Sequence, residues 1–345
     1  MKPTTLGISS KAQWAPLLAL RAVGAAMATL LVSTQAIAAY TYDIFDVPGA
    51  SSTYAFGLNE RGDVAGFYDS AAGAGQGAGF SRIGGVYADV LVPGGVGVGV
   101  GDIDSAGNMV GSYVVSSQQN GFLLTSDGVL RREGPPGALV WRPAGLNDQG
   151  QESGFLSMGT GPVVGYVWDG LDLVTISAPG ASFTDVRNVN ASGQMVGTYS
   201  VRAPSVPTVT WYAYLYESGS FTTLTHPTAG TALDAFGIND AGDIVGDYQA
   251  GPNVIGFIRH ADGRYEDVMP PGAVSARVQD ISNSGQLVGY FYGPTGGARG
   301  FIATLVVPEP GSVLMWLCGL GVLSLVRRGD DRGPMNSIEP ASKLA

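Results

Sequence analysis

The sequence predicts an all-β protein, a six-bladed β-propeller built from four-stranded repeats of about 43 residues. Three observations predict it: a hairpin pattern that recurs six times, four β-type segments in each repeat, and complementary chain ends. The pattern is clearest in residues 236–248, where Asn239-Asp240-Ala241-Gly242 forms a turn between two apolar runs. Its turn glycines are Gly62, Gly107, Gly150, Gly193, Gly242 and Gly285, at spacings of 45, 43, 43, 49 and 43 residues.

Each repeat contains four short segments of β-forming residues. In the fifth repeat they are residues 233–239, 243–248, 254–260 and 264–269. A Pro/Gly crossover such as Pro271-Gly272 then ends the fourth segment and directs the chain to the next unit. A glycine also recurs inside the second segment of every repeat, as at Gly246. Because glycine weakens a strand, we expect it where another backbone or ring approaches closely, as between stacked blades.

The two ends of the repeat array complement each other. The sixth repeat stops after its third segment, residues 300–306, and an orphan segment, residues 40–46, precedes the first repeat. We predict that the orphan segment is the fourth strand of the sixth blade, because this pairing removes both open edges. The alternative, an open β-solenoid, has no need for such complementarity and would instead require atypical caps.

The segments outside the repeats predict an exported protein. Residues 1–38 contain Lys2, Lys11 and Arg21, then a short apolar run and Ala36-Ile37-Ala38, which is the order of a secretory signal peptide. A first transmembrane helix would need about 20 apolar residues, and this run is shorter. The predicted organisation is a signal peptide (1–38), a propeller (39–306), a membrane-associated segment (307–328) and a polar tail (329–345).

Composition excludes several classes of function. Residues 40–306 contain no lysine and 11 arginines against 24 acidic residues, a net charge of about −13, which repels phosphate backbones and excludes nucleic-acid binding. Cys318 lies outside the repeats, so no disulfide is expected within them. His226 and His260 lie in different repeats, so no zinc site or Ser-His pair is indicated. We predict no cofactor and no metal.

The repeats resemble the HAF-type extracellular repeat family, whose units combine an I-N-x-x-G-x-x-V-G hairpin with a His-Ala-Phe strand. The hairpin matches from Ile238 to Gly246, while the strand here reads Gly-Phe, as at Gly256-Phe257, or Ala-Tyr, as at Ala213-Tyr214. The resemblance covers residues 40–305. It implies an exported repeat protein and brings no known chemistry.

The C-terminus resembles a PEP-CTERM sorting signal, in which a Pro-Glu-Pro motif precedes an apolar segment and a basic cluster. The matching residues are Val307, Pro308, Glu309 and Pro310, the apolar run 311–326, and Arg327 and Arg328. The resemblance implies export in a Gram-negative bacterium, processing by an exosortase, and delivery to the surface or to an exopolysaccharide (biofilm) matrix. The apolar run would form a helix held transiently in the inner membrane, with the arginines cytoplasmic. A plain membrane anchor is the alternative.

Candidate ligand-stacking residues end the second strand of four repeats: Tyr68, Tyr113, Tyr199 and Tyr248. They either pack between blades or form an aromatic rim for sugar rings. Strand direction places their ends on the same face as the irregular loops 69–78, 200–210 and 293–299. We therefore predict a non-enzymatic surface or matrix protein that binds neutral glycan or protein partners. The alternative is a carbohydrate-active enzyme, a glycosidase or lyase, with a loop-face carboxylate pair.

Overall fold

The computed structural model describes residues 39–70, 77–202 and 208–306. They form 24 strands in six four-stranded antiparallel sheets, which follow one another as the blades of a closed ring. The predicted all-β, six-bladed propeller is therefore confirmed. The predicted signal peptide, the sorting signal with its helix, and the polar tail lie outside the described residues. Within the described ranges, no helix is long and apolar enough to cross a membrane.

The first three blades follow the chain from the inner strand outward. Blade one contains β2 (Ala50–Leu58), β3 (Val64–Ser70), β4 (Ala78–Ile83) and β5 (Val86–Val90). Blade two contains β6 (Val96–Ile103), β7 (Met109–Val115), β8 (Gln118–Leu124) and β9 (Leu130–Arg131). Blade three contains β10 (Val140–Leu146), β11 (Glu152–Ser157), β12 (Val164–Trp168) and β13 (Leu173–Ile176).

The last three blades continue this order, and the sixth takes its outer strand from the N-terminal end of the propeller. Blade four contains β14 (Phe183–Val189), β15 (Met195–Arg202), β16 (Val209–Glu217) and β17 (Ser220–Thr223). Blade five contains β18 (Leu233–Ile238), β19 (Ile244–Ala250), β20 (Asn253–Arg259) and β21 (Tyr265–Val268). Blade six contains β22 (Ser275–Ile281), β23 (Leu287–Tyr292), β24 (Ala298–Val306) and β1 (Ala39–Phe45).

The ring closes as the chain ends predict. Strand β1 pairs with β24, so the orphan segment completes blade six, and the open solenoid is not formed. Phe45 and Val47 are buried in a cluster that also holds Phe80 of blade one and Val288 and Ile302 of blade six. The closing strand therefore contributes apolar packing as well as backbone pairing.

The hairpin turns have the conformation that the sequence indicates. All six turn glycines have positive φ, between 76° and 87°. The polar residue that begins each turn caps it; Asn59, for example, accepts hydrogen bonds through Oδ1 from the backbone N–H groups of Arg61 and Asp63, both at 3.0 Å. Each inner strand also contains a β-bulge, as between Ala235 and Gly237.

The second-strand glycines are crowded by their own blade, which corrects the expectation of contact between stacked blades. A Cβ added at Gly246 would lie 1.9 Å from the carbonyl oxygen of Asp234, on the bulged inner strand of the same sheet. The equivalent glycines of the other five blades would meet the equivalent carbonyl at 2.0 to 2.1 Å. The bulge tilts this carbonyl over the second strand, so only glycine fits there.

The residue after each bulge lies near the axis, and we call these six residues the hub ring: Gly57, Asp102, Gly145, Asn188, Gly237 and Asp280. The carboxylate of Asp102 accepts a hydrogen bond from the backbone N–H of Leu146, in the next blade, at 2.8 Å. Asp280 does the same for Leu58 at 3.0 Å. Glycine and polar residues alternate around the hub ring. A Cβ at Gly57 would lie 2.5 Å from Cα of Asp102, so each polar member needs a glycine at the hub position of the preceding blade.

Candidate functional site

The two faces of the propeller are built differently. The turn face carries the tight turns between first and second strands, and neighbouring turns are joined by side-chain hydrogen bonds. Asn59 donates to the carbonyl oxygen of Asp104 at 3.0 Å, and Asn190 donates to that of Asn239 at 2.9 Å. The loop face carries the crossovers and the connections between second and third strands, which vary in length from blade to blade. Sites are more often found on such variable loops.

The four candidate tyrosines lie at the loop-face end of the second strands. Tyr113 and Tyr248 are buried, each 5% exposed, while Tyr68 and Tyr199 are half-buried. Three hydroxyls bond to the outer strand of the same blade: Tyr68 to Asp89 at 2.9 Å, Tyr199 to Thr223 at 2.9 Å and Tyr248 to Asp267 at 3.1 Å.

Most of these rings already have a partner on one face. His226 stacks on Tyr248 with 3.8 Å between ring centroids, and Tyr212 stacks on Tyr199 at 5.2 Å. The guanidinium of Arg132 lies 5.6 Å from the ring centroid of Tyr113. Packing within and between blades accounts for these contacts, and the sugar-stacking role of the four tyrosines stays a prediction.

A more open aromatic residue lies where blades four and five meet at the loop face. Trp211, on β16, is 51% exposed and borders a cavity of about 210 Å³. We call this cavity the Trp211 groove; its polar lining residues are Thr231, Asp234, Asp247, Gln249 and Arg277. It therefore combines an exposed indole with side chains that donate and accept hydrogen bonds.

The groove contains a carboxylate pair. Asp234 and Asp247 are direct partners in the β18–β19 ladder, and Nη1 of Arg277 donates to Oδ2 of Asp247 at 2.7 Å. Burial raises the pKa of Asp247 to about 7, because its desolvation outweighs the lowering effect of the Arg277 guanidinium; the charge of Asp234 raises it further.

Sequence reasoning did not identify these residues, and the turn register alone would not have found them. Continued from the turn, that register pairs Asp234 with Tyr248, and the bulge at Phe236 shifts the pairing by one residue onto Asp247. Trp211 comes from the preceding blade and Arg277 from the following one, so their positions beside the pair depend on the closed ring.

Two further cavities lie on the axis. The larger, about 330 Å³, is lined by the bulged residue of every blade: Phe56, Gly101, Ala144, Arg187, Phe236 and Gln279. The smaller, about 90 Å³, opens among the turns and includes Asp102, Asn188 and Asp280 of the hub ring. Burial raises the pKa of both hub aspartates, and their mutual repulsion adds to this at Asp102. Among the described residues, no group of three or more His, Cys, Asp or Glu is placed to hold a metal ion.

The C-terminal segment matches a known family. Residues 306–332 match the PEP-CTERM protein-sorting motif, which confirms the predicted sorting signal at the C-terminus. The individual roles of Val307, Pro308, Glu309, Pro310, Arg327 and Arg328 in that signal stay a prediction. This signal is recognised by an exosortase and implies export and display at the cell surface. The HAF-type resemblance of the repeats stays a prediction. The sequence matches no curated protein.

Several solved propellers are similar in shape. TolB from Acinetobacter baumannii has 13% identity and a TM-score of 0.45; the match covers 62% of this chain and only about half (52%) of that chain. AofleA from Arthrobotrys oligospora has 11% identity and a TM-score of 0.47, covering 77% and 90%. A gluconolactonase from Xanthomonas campestris has 12% identity and a TM-score of 0.44, covering 80% and 99%. These likenesses carry no argument about the site.

Proposed function

We propose that this protein is a non-enzymatic component of the cell surface or exopolysaccharide matrix of a Gram-negative bacterium, and that it binds neutral glycan in the Trp211 groove. The sorting signal supports surface delivery. The observation that carries the binding proposal is the half-exposed indole of Trp211 beside the Asp247–Arg277 ion pair.

This combination suits a sugar ring. A pyranose has a face of C–H groups that packs on an indole, and a rim of hydroxyls that need hydrogen-bond partners when water leaves. In the groove, Asp247 is 4% exposed and already oriented by Arg277, so it accepts from a hydroxyl without further ordering. Thr231 adds a hydroxyl at the rim, and Gln249, whose amide nitrogen already donates to the carbonyl oxygens of Gly251 and Asn253, adds its amide oxygen.

Charge selects neutral glycan over acidic polymers at this groove. Asp234 and Asp247 face one guanidinium, that of Arg277, and the surrounding repeats carry a net charge of about −13. A polyanionic chain would meet repulsion along its whole length. A stacked ring contributes about 1 kcal/mol, so single-site binding is weak and gains strength through multivalent contact in a matrix.

Replacing Trp211 by alanine tests this proposal. We expect the purified full chain to be retained by neutral polysaccharide, and Trp211→Ala to lose that retention. The unfolding free energy should fall by about 1–2 kcal/mol, because the buried half of the indole, which contacts the ring of Phe183 at 5.4 Å between centroids, is removed. Retention is measured by affinity electrophoresis through gels containing the polysaccharide, and stability by urea denaturation.

Tyr199→Ala is the matched aromatic control. If the second-strand tyrosines form a stacking rim, as the sequence suggests, this change will also abolish retention without lowering stability. If Tyr199 packs the blade, the variant will lose stability and keep retention wherever it remains folded. Retention by the wild type that survives Trp211→Ala would place the glycan elsewhere, and no retention of the wild type would refute glycan binding.

The carboxylate pair supports a second candidate function, glycoside hydrolysis. Asp247, with its pKa raised to about 7, fits a general acid that protonates the leaving oxygen, and Asp234 is the opposing carboxylate. Directly paired residues have Cβ atoms roughly 4.5–5.5 Å apart, which is compatible with the short carboxyl separation of retaining glycosidases. Release of reducing sugar from neutral glycans, abolished by Asp247→Asn, would establish hydrolysis. Retention without product would favour binding.

A further inference from the structure

The larger axial cavity is lined by charged side chains, two of which keep a buried atom without a hydrogen-bond partner in the described part of the chain. It lies on the loop-face side of the hub ring, because the bulged residue of each blade lines it, whereas the hub residues Asp102, Asn188 and Asp280 line the turn-side cavity. At the bulge position, blades two and three carry the small residues Gly101 and Ala144, which leave room in the cavity on their side. The side chains that border it there are Ser112, Gln119 and Arg142.

Arg142 is a half-buried cation with no counter-ion in the described part of the chain. Its guanidinium lies 5.5 Å from the ring centroid of Phe155, and its Nε is buried without a hydrogen-bond partner. Desolvation lowers the pKa of this arginine, a sign that its charge lacks compensation, although a guanidinium remains protonated. An anion in the cavity would supply both the missing charge and the missing acceptor.

Asp185 also lines this cavity and is the second residue there with an unpartnered polar atom; the residue is only 2% exposed. Its Oδ2 pairs with Nε of Arg187 at 2.8 Å, while its Oδ1 is buried without a partner. Leaving a buried oxygen unpaired costs free energy that a ligand donor would recover. A hydroxyl hydrogen is a suitable donor, because a cationic donor would be repelled by Arg142 and Arg187.

The cavity therefore requires an anion that also has hydroxyl groups and an apolar face. Two guanidiniums against one carboxylate make it locally positive, whereas the repeats as a whole are acidic. Phe56, Phe155 and Phe236 supply the apolar walls. At about 330 Å³ it lies at the small end of ligand cavities, so its occupant has the size of one sugar residue.

We propose that the axial cavity binds a small hydroxylated carboxylate of the uronic acid class. Arg142 pairs with the carboxylate of the ligand, Oδ1 of Asp185 accepts a ligand hydroxyl, and the phenyl rings cover the C–H face. This site is separate from the Trp211 groove, which suits a neutral ring. A monomer or a chain end fits the axial cavity, while the body of an acidic polymer does not.

Calorimetric titration of the purified full chain with glucuronate, glucose and inorganic phosphate tests this inference. We expect glucuronate to bind, and glucose and phosphate to bind at least roughly tenfold more weakly, since each lacks one half of the recognition. Arg142→Gln should weaken glucuronate binding by roughly ten- to a hundredfold. Ala144→Leu, which fills the cavity with a side chain, should abolish it.

Two controls make the outcome specific. Arg264→Gln removes an exposed arginine that pairs with Asp262 and does not line the axial cavity, so it should leave glucuronate binding unchanged. Trp211→Ala should also leave it unchanged, which separates this site from the proposed glycan groove. Melting temperatures verify folding, and Ala144→Leu decides the result if Arg142→Gln does not fold. Absence of glucuronate binding, tighter binding of phosphate, or binding insensitive to both cavity variants would overturn the inference.

Discussion

The turn face and the loop face use the same six blades for different purposes. On the turn face, side chains form hydrogen bonds with the neighbouring blade. Asn190 donates to the carbonyl oxygen of Asn239, and Oδ1 of Asn283 accepts from the backbone N–H of Asp240. On the loop face, polar side chains such as Asp185 and Arg142 keep atoms without a partner. Side-chain hydrogen bonds between neighbouring blades are thus found among the turns, and the two larger cavities with polar side chains in their lining lie on the loop-face side.

This difference separates stability from recognition within one repeat. Each inner strand starts at the loop face and ends at a turn, so a few residues along it lead from a site to a fixed hub. In blade four, for example, Asp185 borders the axial cavity and Asn190 caps the turn. Substitutions near the turn should therefore affect stability, and those near the loop face should affect binding.

We expect the largest loss of stability when the closed ring of blades, on which both faces depend, is opened. Deleting residues 39–47 removes β1 with the buried Phe45 and Val47, and it exposes the edge of β24. We expect a loss of about 5 kcal/mol or more in unfolding free energy, and a melting temperature lower by about 10 °C or more. Thermal denaturation followed by circular dichroism measures it. A change of only a few degrees would show that the array is stable when open.

The next largest effect is the free energy that burial of the ionised Asp247 carboxylate costs the folded protein. Because the folded-state pKa of Asp247 is raised to about 7, its contribution to stability is complete below about pH 4 and is lost as the pH rises to about 7. The stability of the wild type relative to Asp247→Asn should therefore fall over this range by on the order of 4 kcal/mol. Urea denaturation at several pH values measures this difference.

Asp262→Asn is the control for the sign of that change. Its exposed carboxyl has a pKa lowered by hydrogen bonds from Arg264, so its contribution is present at neutral pH and is lost on acidification. The relative stability of wild type and Asp262→Asn should thus change in the opposite direction, and weakly. A flat difference for Asp247→Asn would mean that Asp247 is ionised throughout.

The smallest effect probes a single turn. Asn190 accepts from the N–H groups of Ser192 and Gln194 and donates to the carbonyl oxygen of Asn239. Asn190→Ala should cost about 2 kcal/mol in urea denaturation and leave ligand binding unchanged. Ser192→Ala, an exposed change in the same turn, should be neutral. Altered binding in Asn190→Ala would show that the two faces are coupled.

Much of the fold could be predicted from the sequence because its signals are local and repeated. The positive φ of the turn glycines, the four strands of each repeat and the completing role of β1 depend on turn chemistry and on edge pairing. The packing of the second-strand glycines was predicted less well. A close approach at Gly246 was expected, but the crowding atom is a carbonyl oxygen displaced by the bulge in its own sheet, and bulges have no clear sequence signal.

The candidate sites could be predicted much less well, since they lie between repeats. The aromatic pattern drew attention to residues such as Tyr248, which recur because every blade needs them for packing. The residues that line the cavities differ from blade to blade: the bulge position holds Phe56 in blade one, Gly101 in blade two and Arg187 in blade four. A repeat pattern does not reveal such differences between blades. The cavity-lining residues come together only when the ring of blades closes.

Glycine and polar residues alternate around the hub ring, and such an alternation is regular only when the number of blades is even. Every polar member of that ring, such as Asp102, is preceded by a glycine that accommodates it, and in blades two and six it bonds to a backbone N–H in the next blade. The third polar member, Asn188, instead donates from Nδ2 to Oδ1 of Asp280 across the ring at 3.3 Å, so the alternation of glycine and polar residues is regular while the bonding is not. An odd number of blades would bring two polar members, or two glycines, side by side. Rings built on this hub should grow or shrink by two blades at a time.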